Sequence, residues 1–239
     1  MRKGNQPLSP WYGSANTGRI IIKIYGICAT ASPMKDNGSL AGEDGTTSPL
    51  SRLFLTRRSV RKYEKGAASQ QQVAYVEHCA RSFASAMGFR SARLHVVGQG
   101  EQRDAIVRAA VSGVIGKVNP WLPFSHARHL ILCGAVLPDD ASRNHVQRAI
   151  KEASMVMQVA LLAATEQGLG TCWMAGIHHD RVESTFPMPD GARLIAMSPL
   201  GLPPARLTLS WDTLSHYLVS KRRKPLEQLW MHERWGVKG

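Results

Sequence analysis

The stretch from Ser142 to Gln167 constrains the fold more than any other part of this chain. Val146, Ile150, Ala153, Met157, Ala160, Leu161 and Ala164 recur at helical spacing and form one apolar stripe of a long helix. Gly168 supplies the stop. Between Met155 and Ala164 the helix is apolar almost all round. It therefore has to be covered on several sides, either by the core of its own chain or by a second subunit.

The other elements arrange themselves around that helix. Ser48 and Pro49 suit a helix start, with Leu50, Leu53, Phe54 and then Val60 as one apolar stripe, interrupted by the basic run Arg57-Arg58. A second helix is predicted from Ser69 to about Ala84, and another from Glu101 to about Val111. Arg93 to Val97 alternates and is rich in β-formers, so it reads as a strand. His129 to Val136 reads as a buried strand, and Ala192 to Pro199 as a third. Leu202-Pro203-Pro204 is a turn, and a short helix is expected around Pro225 to Trp230. Helices and strands mix without regular βαβ alternation or internal repeat, which favours an α+β class.

Residues 1–47 differ from this pattern. They are rich in Gly, Ser, Thr, Asn and Pro and read as a flexible extension, with Met34 as a candidate natural start. The apolar run from Ile20 is broken by Lys23 and follows too long a leader for a secretory signal. No run approaches the roughly 20 apolar residues that span a bilayer. The four cysteines form no CxxC pair and read as small core residues in a reducing, cytoplasmic setting.

The net charge of +13 points to an anionic partner or to a merely basic surface. Two clusters concentrate it. In Arg57-Arg58-Ser59-Val60-Arg61, a helical backbone would put Arg57 and Arg61 on one face, with Ser59 close by. Two guanidinium groups and a hydroxyl make a phosphate clamp, because arginine offers planar, bidentate donors. A solvated helix end is the plain alternative. Lys221-Arg222-Arg223-Lys224 could likewise meet phosphate, RNA or only water.

A third segment, Gly168 to Gly176, turns sharply and then runs apolar, with small residues at Ala175 and Gly176. Such a backbone can lie against a flat aromatic ligand and offer it N–H groups; a helix cap followed by a core strand is the alternative. His178-His179-Asp180 lacks the spacing of a closed metal site, so no metal is expected. No Walker A, dinucleotide fingerprint, nucleophile elbow or HExxH motif is present.

In combination and in order, these segments resemble the nitroreductase-like FMN family. The resemblance runs through Arg-Arg-Ser-Val-Arg at 57–61, Gly-Leu-Gly-Thr-Cys-Trp at 168–173, Pro-Leu-Gly-Leu-Pro at 199–203 and Arg-Arg-Lys-Pro-Leu-Glu at 222–227, and covers roughly residues 48 to 232. It implies a central, mostly antiparallel sheet flanked by helices, and a homodimer with FMN at the subunit interface. It implies that Arg57, Arg58, Ser59 and Arg61 hold the FMN phosphate and ribityl chain. Met174, Ala175 and Gly176 would line the isoalloxazine ring, and Arg222, Arg223 and Lys224 would close over the phosphate. The sequence departs from the family pattern at Ala86 to Ala92, where the usual flavin-contacting Asn is missing; Gly88 or Arg90 is the candidate substitute. Ala175 stands where some members carry a carboxylate.

The implied activity is transfer of a hydride from NAD(P)H to a small electron-poor acceptor, a nitroaromatic or a quinone, by a ping-pong cycle without a side-chain catalyst. A flavin-binding or flavin-processing relative without general reductase activity is the first alternative. A nucleic-acid-binding protein is the second. Against the latter, the cations form two short clusters rather than a stripe, and no aromatic RNA-binding motif is present.

Overall fold

The computed structural model describes residues 48–113, 116, 119–186, 188–189 and 191–205. The extension at 1–47, the basic run at 221–224 and the helix expected near Pro225 lie outside the described residues.

Among the described residues five α-helices and four strands follow one another as α1 (Pro49–Thr56), α2 (Gln70–Ala86), β1 (Ala92–Val97), α3 (Glu101–Ala110), β2 (His129–Val136), α4 (Arg143–Glu166), β3 (Gly170–Thr171), α5 (His179–Thr185) and β4 (Ala192–Gly201). The helix starts are chemically marked. The Ser48, Ser69 and Ser142 hydroxyls accept from the backbone N–H groups of Ser51, Gln72 and His145. Gln72 reciprocates to the Ser69 N–H and completes a capping box. At its other end α4 stops where Gly168 takes φ +71°, a conformation side chains resist.

The strands form one antiparallel sheet in the order β1-β2-β4-β3. β2 lies at its centre and explains its own composition. Ile131, Cys133 and Ala135 face the cluster built with α2 and α4, while Leu130 and Leu132 face the cluster that holds Ile106, Val107 and Val182 of α3 and α5. A strand covered on both faces needs an unbroken apolar run, and each such side chain contributes about 1.5–3 kcal/mol on burial.

The long helix is covered differently from one sequence expectation. Its apolar residues do not wait for a second subunit: Ala149, Ala153, Val156, Met157, Ala160, Leu161, Ala163 and Ala164 are buried within this chain, against α2 and the sheet. Met155 alone among its large apolar residues stays outside, 41% exposed. The alanines permit this by letting α2 approach closely.

Glu152, also on α4, is buried and accepts the N–H groups of Ser91 (2.9 Å) and Arg90 (3.2 Å), tying the helix to the turn before β1.

Candidate functional site

The arginine segment is not helical. α1 ends at Thr56, and Arg57 already has extended backbone angles. Ser59 forms a parallel bridge with Thr171, and the Val60 N–H donates to the Thr171 carbonyl at 2.7 Å. Arg57 and Arg61 therefore do not share a helical face; in extended backbone, 57, 59 and 61 alternate with 58 and 60. The cause is tertiary. β3 exposes an unpaired edge beside β4, and a segment with β-branched Val60 satisfies that edge better than another helical turn would. Val60 and Ser59 are buried, whereas Arg57, Arg58 and Arg61 are half-buried. Beyond them the Tyr63 hydroxyl donates to the Val60 carbonyl (2.6 Å), and the Glu64 N–H donates to Leu202 (2.9 Å). The segment is thus stitched from β3 to the end of β4. It carries five cations between Arg57 and Lys65 against the single carboxylate of Glu64.

The glycine-rich segment lies immediately alongside. From β3 it follows β4: the Ser198 hydroxyl accepts the Cys172 N–H (2.9 Å), and Met174 and Met197 exchange backbone hydrogen bonds at 2.8 and 2.9 Å. Met174 is buried, Ala175 exposed and Gly176 half-buried. The chain then bends into α5, with Ile177 buried in the α3–α5 cluster. His179 Nε2 lies 2.9 Å from the Ala175 carbonyl, and the Gly176 carbonyl accepts from Asn119 Nδ2 (3.1 Å). His179 Nδ1 also meets the Leu194 carbonyl of β4 at 2.9 Å. His178 Nε2 meets the Ser112 carbonyl at 2.8 Å. The two histidines thus cross-link backbone.

The structure brings Arg57, Arg58, Ser59 and Arg61 against the same strand that leads into Met174, Ala175 and Gly176. Thr171 and Met174 are three residues apart, roughly 10 Å along an extended chain. Arg222, Arg223 and Lys224 lie outside the described residues. Gly88 and Arg90 are not brought to this place within the chain. Gly88 ends α2 with φ +65°, Arg90 is exposed, and β2 and β4 lie between β1 and the segment 170–174. Two residues at this place carried little or no sequence signal, and Thr171 stood out only as part of the Gly-Leu-Gly-Thr-Cys-Trp segment. Thr171 Oγ1 is buried without a hydrogen-bond partner. Asn119 sits outside any regular element, and His179 suggested only a weak metal motif.

Buried or fixed donors with no acceptor are what an anionic, aromatic ligand would use. Thr171 Oγ1 is one, and the N–H groups of Gly176 and Ile177, which have no acceptor among the described residues, are two more. Together with three arginines and Ser59, this donor set fits a phosphate ester joined to a flat, hydrogen-bonding ring.

Fold and site together define a class: an α+β protein with a cationic extended segment laid along a small-residue backbone path. Residues 55–202 match the model of the Nitroreductase family, and the chain belongs to that family. The same fold is found in nitroreductase A from Vibrio parahaemolyticus (15% identity, TM-score 0.60, covering 79% of this chain and 77% of that one). It is found also in an FMN-dependent nitroreductase from Clostridium difficile (20%, 0.52, 68% and 92%). A third relative, from Bacteroides thetaiotaomicron, is provisionally named an NADH dehydrogenase/NAD(P)H nitroreductase (18%, 0.59, 80% and 100%). At these identities the likeness establishes the fold. No curated protein matches the chain significantly in sequence.

Proposed function

We propose that this chain is an FMN-dependent oxidoreductase that passes a hydride from NAD(P)H to a small electron-poor acceptor, a nitroaromatic or a quinone, in a ping-pong cycle. The observation that carries the reading is the Ser59–Thr171 bridge, which sets the arginine segment beside the path from Gly170 to Gly176. FMN supplies the hydride chemistry when bound; the protein supplies position and charge. Arg57, Arg58 and Arg61, with Ser59, neutralise and orient the phosphate, and Arg222, Arg223 and Lys224 add to that field. Met174, Ala175 and Gly176 present a narrow wall to the ring. Ala175, being small and exposed, leaves the ring face open to nicotinamide and acceptor in turn.

Residues 48–239 form the FMN-binding unit in this reading, and 1–47 an appended extension. The working form is a homodimer with FMN at its interface. Leu50 (60% exposed), Phe54 (54%) and Leu55 on α1, with Met155 on α4, are the apolar surface that a second copy would cover. Among the described residues no helix is long and apolar enough to cross a membrane. The free thiols of Cys79 and Cys133 agree with a reducing, cytoplasmic setting.

The test is the visible spectrum of the purified protein, identification of the released chromophore, and NAD(P)H oxidation with nitroaromatic and quinone acceptors. Flavin bands, one FMN per chain and acceptor-dependent turnover are expected. In Arg58→Ala the FMN dissociation constant should rise roughly ten- to a hundredfold, the worth of a charge-assisted hydrogen bond. A colourless protein that takes up no added FMN would overturn the reading. FMN binding without NAD(P)H turnover would leave a flavin-binding protein that is not a general reductase.

A further inference from the structure

Two consecutive peptide groups in the bend after Met174 are held by side chains from outside that bend. His179 Nε2 lies 2.9 Å from the Ala175 carbonyl, and Asn119 Nδ2 donates to the Gly176 carbonyl at 3.1 Å. In a trans peptide the carbonyl and the following N–H point in opposite directions, and no peptide here is cis. Fixing the Ala175 carbonyl therefore fixes the direction of the Gly176 N–H, and fixing the Gly176 carbonyl does the same for the Ile177 N–H. Neither N–H has an acceptor among the described residues.

Both tethers have firm far ends. His179 opens α5 and reaches the Leu194 carbonyl of β4 through its other nitrogen at 2.9 Å. Both partners are carbonyl oxygens, which only accept; a neutral ring donates to one of them and an imidazolium to both. Asn119 lies in the connection that leads through Trp121 to β2, and the Leu122 N–H donates to its carbonyl at 3.2 Å. Behind the bend, Ile177 is buried and the His178 N–H is bound to the Ala110 carbonyl (3.1 Å). A glycine left alone at position 176 would sample many orientations. Two tethers on adjacent carbonyls remove that freedom and leave a pair of oriented donors.

We propose that Asn119 and His179 are positioning residues of the redox site: they aim the Gly176 and Ile177 amides at the edge of the flavin, so that reduced FMN, which gathers negative charge, is held more tightly than oxidised FMN. The inference rests on the FMN reading above and assigns roles to two side chains that bind no flavin themselves. Preorganised donors act most strongly where charge develops. Loss of a tether therefore shifts the redox balance more than it shifts binding of the oxidised form.

The experiment uses the FMN-loaded protein and its Asn119→Leu, His179→Leu and His179→Gln variants. Three quantities are measured: thermal unfolding, the dissociation constant of oxidised FMN by fluorescence, and the two-electron midpoint potential against redox dyes. Asn119→Leu and His179→Leu should each lose about tenfold in preference for reduced over oxidised FMN, which is a midpoint about 30 mV lower. His179→Gln keeps an amide donor and should recover part of that loss. The affinity for oxidised FMN should change by less than threefold. A wild-type protein that binds no FMN overturns the functional reading, and the inference falls with it. Wild-type FMN binding with unchanged midpoints in the folded variants overturns the inference alone. Equal loss of oxidised and reduced binding does so too, because it marks the tethers as merely structural. Should one leucine variant fail to fold, the other and His179→Gln decide the matter.

Discussion

Gly170→Ala tests the contact on which the site geometry depends. A Cβ at position 170 would stand 2.9 Å from Val60 Cγ1, 3.0 Å from Val60 Cβ and 3.1 Å from Val60 Cγ2. Ordinary carbon contacts lie at about 3.5–4.0 Å, so Val60 must retreat by roughly half to one ångström. Rotating its side chain does not help, because Cβ itself is too close and moves only with the backbone. The backbone there is held by the 2.7 Å hydrogen bond from the Val60 N–H to Thr171. The substitution should therefore cost about 1–3 kcal/mol, the usual range for an overpacked core. In a domain of this size that lowers the melting temperature by roughly 3–10 °C. FMN affinity should fall with it, since Ser59 and the arginines move with Val60. Val60→Ala removes two of the three close contacts. The double variant should therefore be more stable than the summed single effects, with a coupling of at least about 0.5 kcal/mol. Urea titration of the four proteins measures this. Wild-type stability in Gly170→Ala, or strict additivity in the double variant, would refute the packing of Val60 on Gly170 as the determinant.

Glu152→Ala leaves the Arg90 and Ser91 N–H groups without their acceptor and should cost about 1–3 kcal/mol in urea unfolding, while Glu152→Gln, which keeps an oxygen in place, should cost less. Burial pushes the Cys133 thiol up to about 12, and it donates to the Ala153 carbonyl at 3.2 Å. In mildly alkaline buffer its peptide should stay unalkylated until urea is added; native labelling as fast as that of Cys79 would contradict this. His129 has its pKa lowered from the ordinary 6.5 by desolvation, and its Nδ1 is buried without a partner. The unfolded chain then binds the proton first, so stability is full above pH about 6.5 and declines as the pH falls toward the lower folded value. Melting curves should show a steeper acid loss in wild type than in His129→Asn, and parallel curves would assign the proton uptake elsewhere.

The sequence was most legible where local chemistry and burial pattern agree. The start of α2 at Ser69 was legible, and the cap that Ser69 and Gln72 form there needs only neighbouring residues. α4 was legible from its apolar spacing, and β2 from an unbroken apolar run that only a strand covered on both faces requires. The candidate site was legible as residue types in order: a cationic cluster, a glycine turn and small residues at 175–176. Its geometry was not. Arg57 to Arg61 looked helical because helical spacing is a local property, whereas the free edge of β3 that pulls Ser59 and Val60 into extended pairing arises only after β4 is in place. Asn119 carried no signal at all, since nothing near it in the chain concerns Gly176, its partner 57 residues away.

By itself the sequence determined most of the elements, the α+β class and the chemistry available to the site, because periodicity and charge act over a few residues, whereas β3 and α5 were not legible in it. Only the tertiary structure decided that α4 is covered by α2 and the sheet of its own chain, that the arginine segment is a strand partner of Thr171, and that two side chains hold the Ala175 and Gly176 carbonyls. Those outcomes depend on contacts between residues far apart in the chain, and they form only when the sheet's long-range hydrogen bonds have closed.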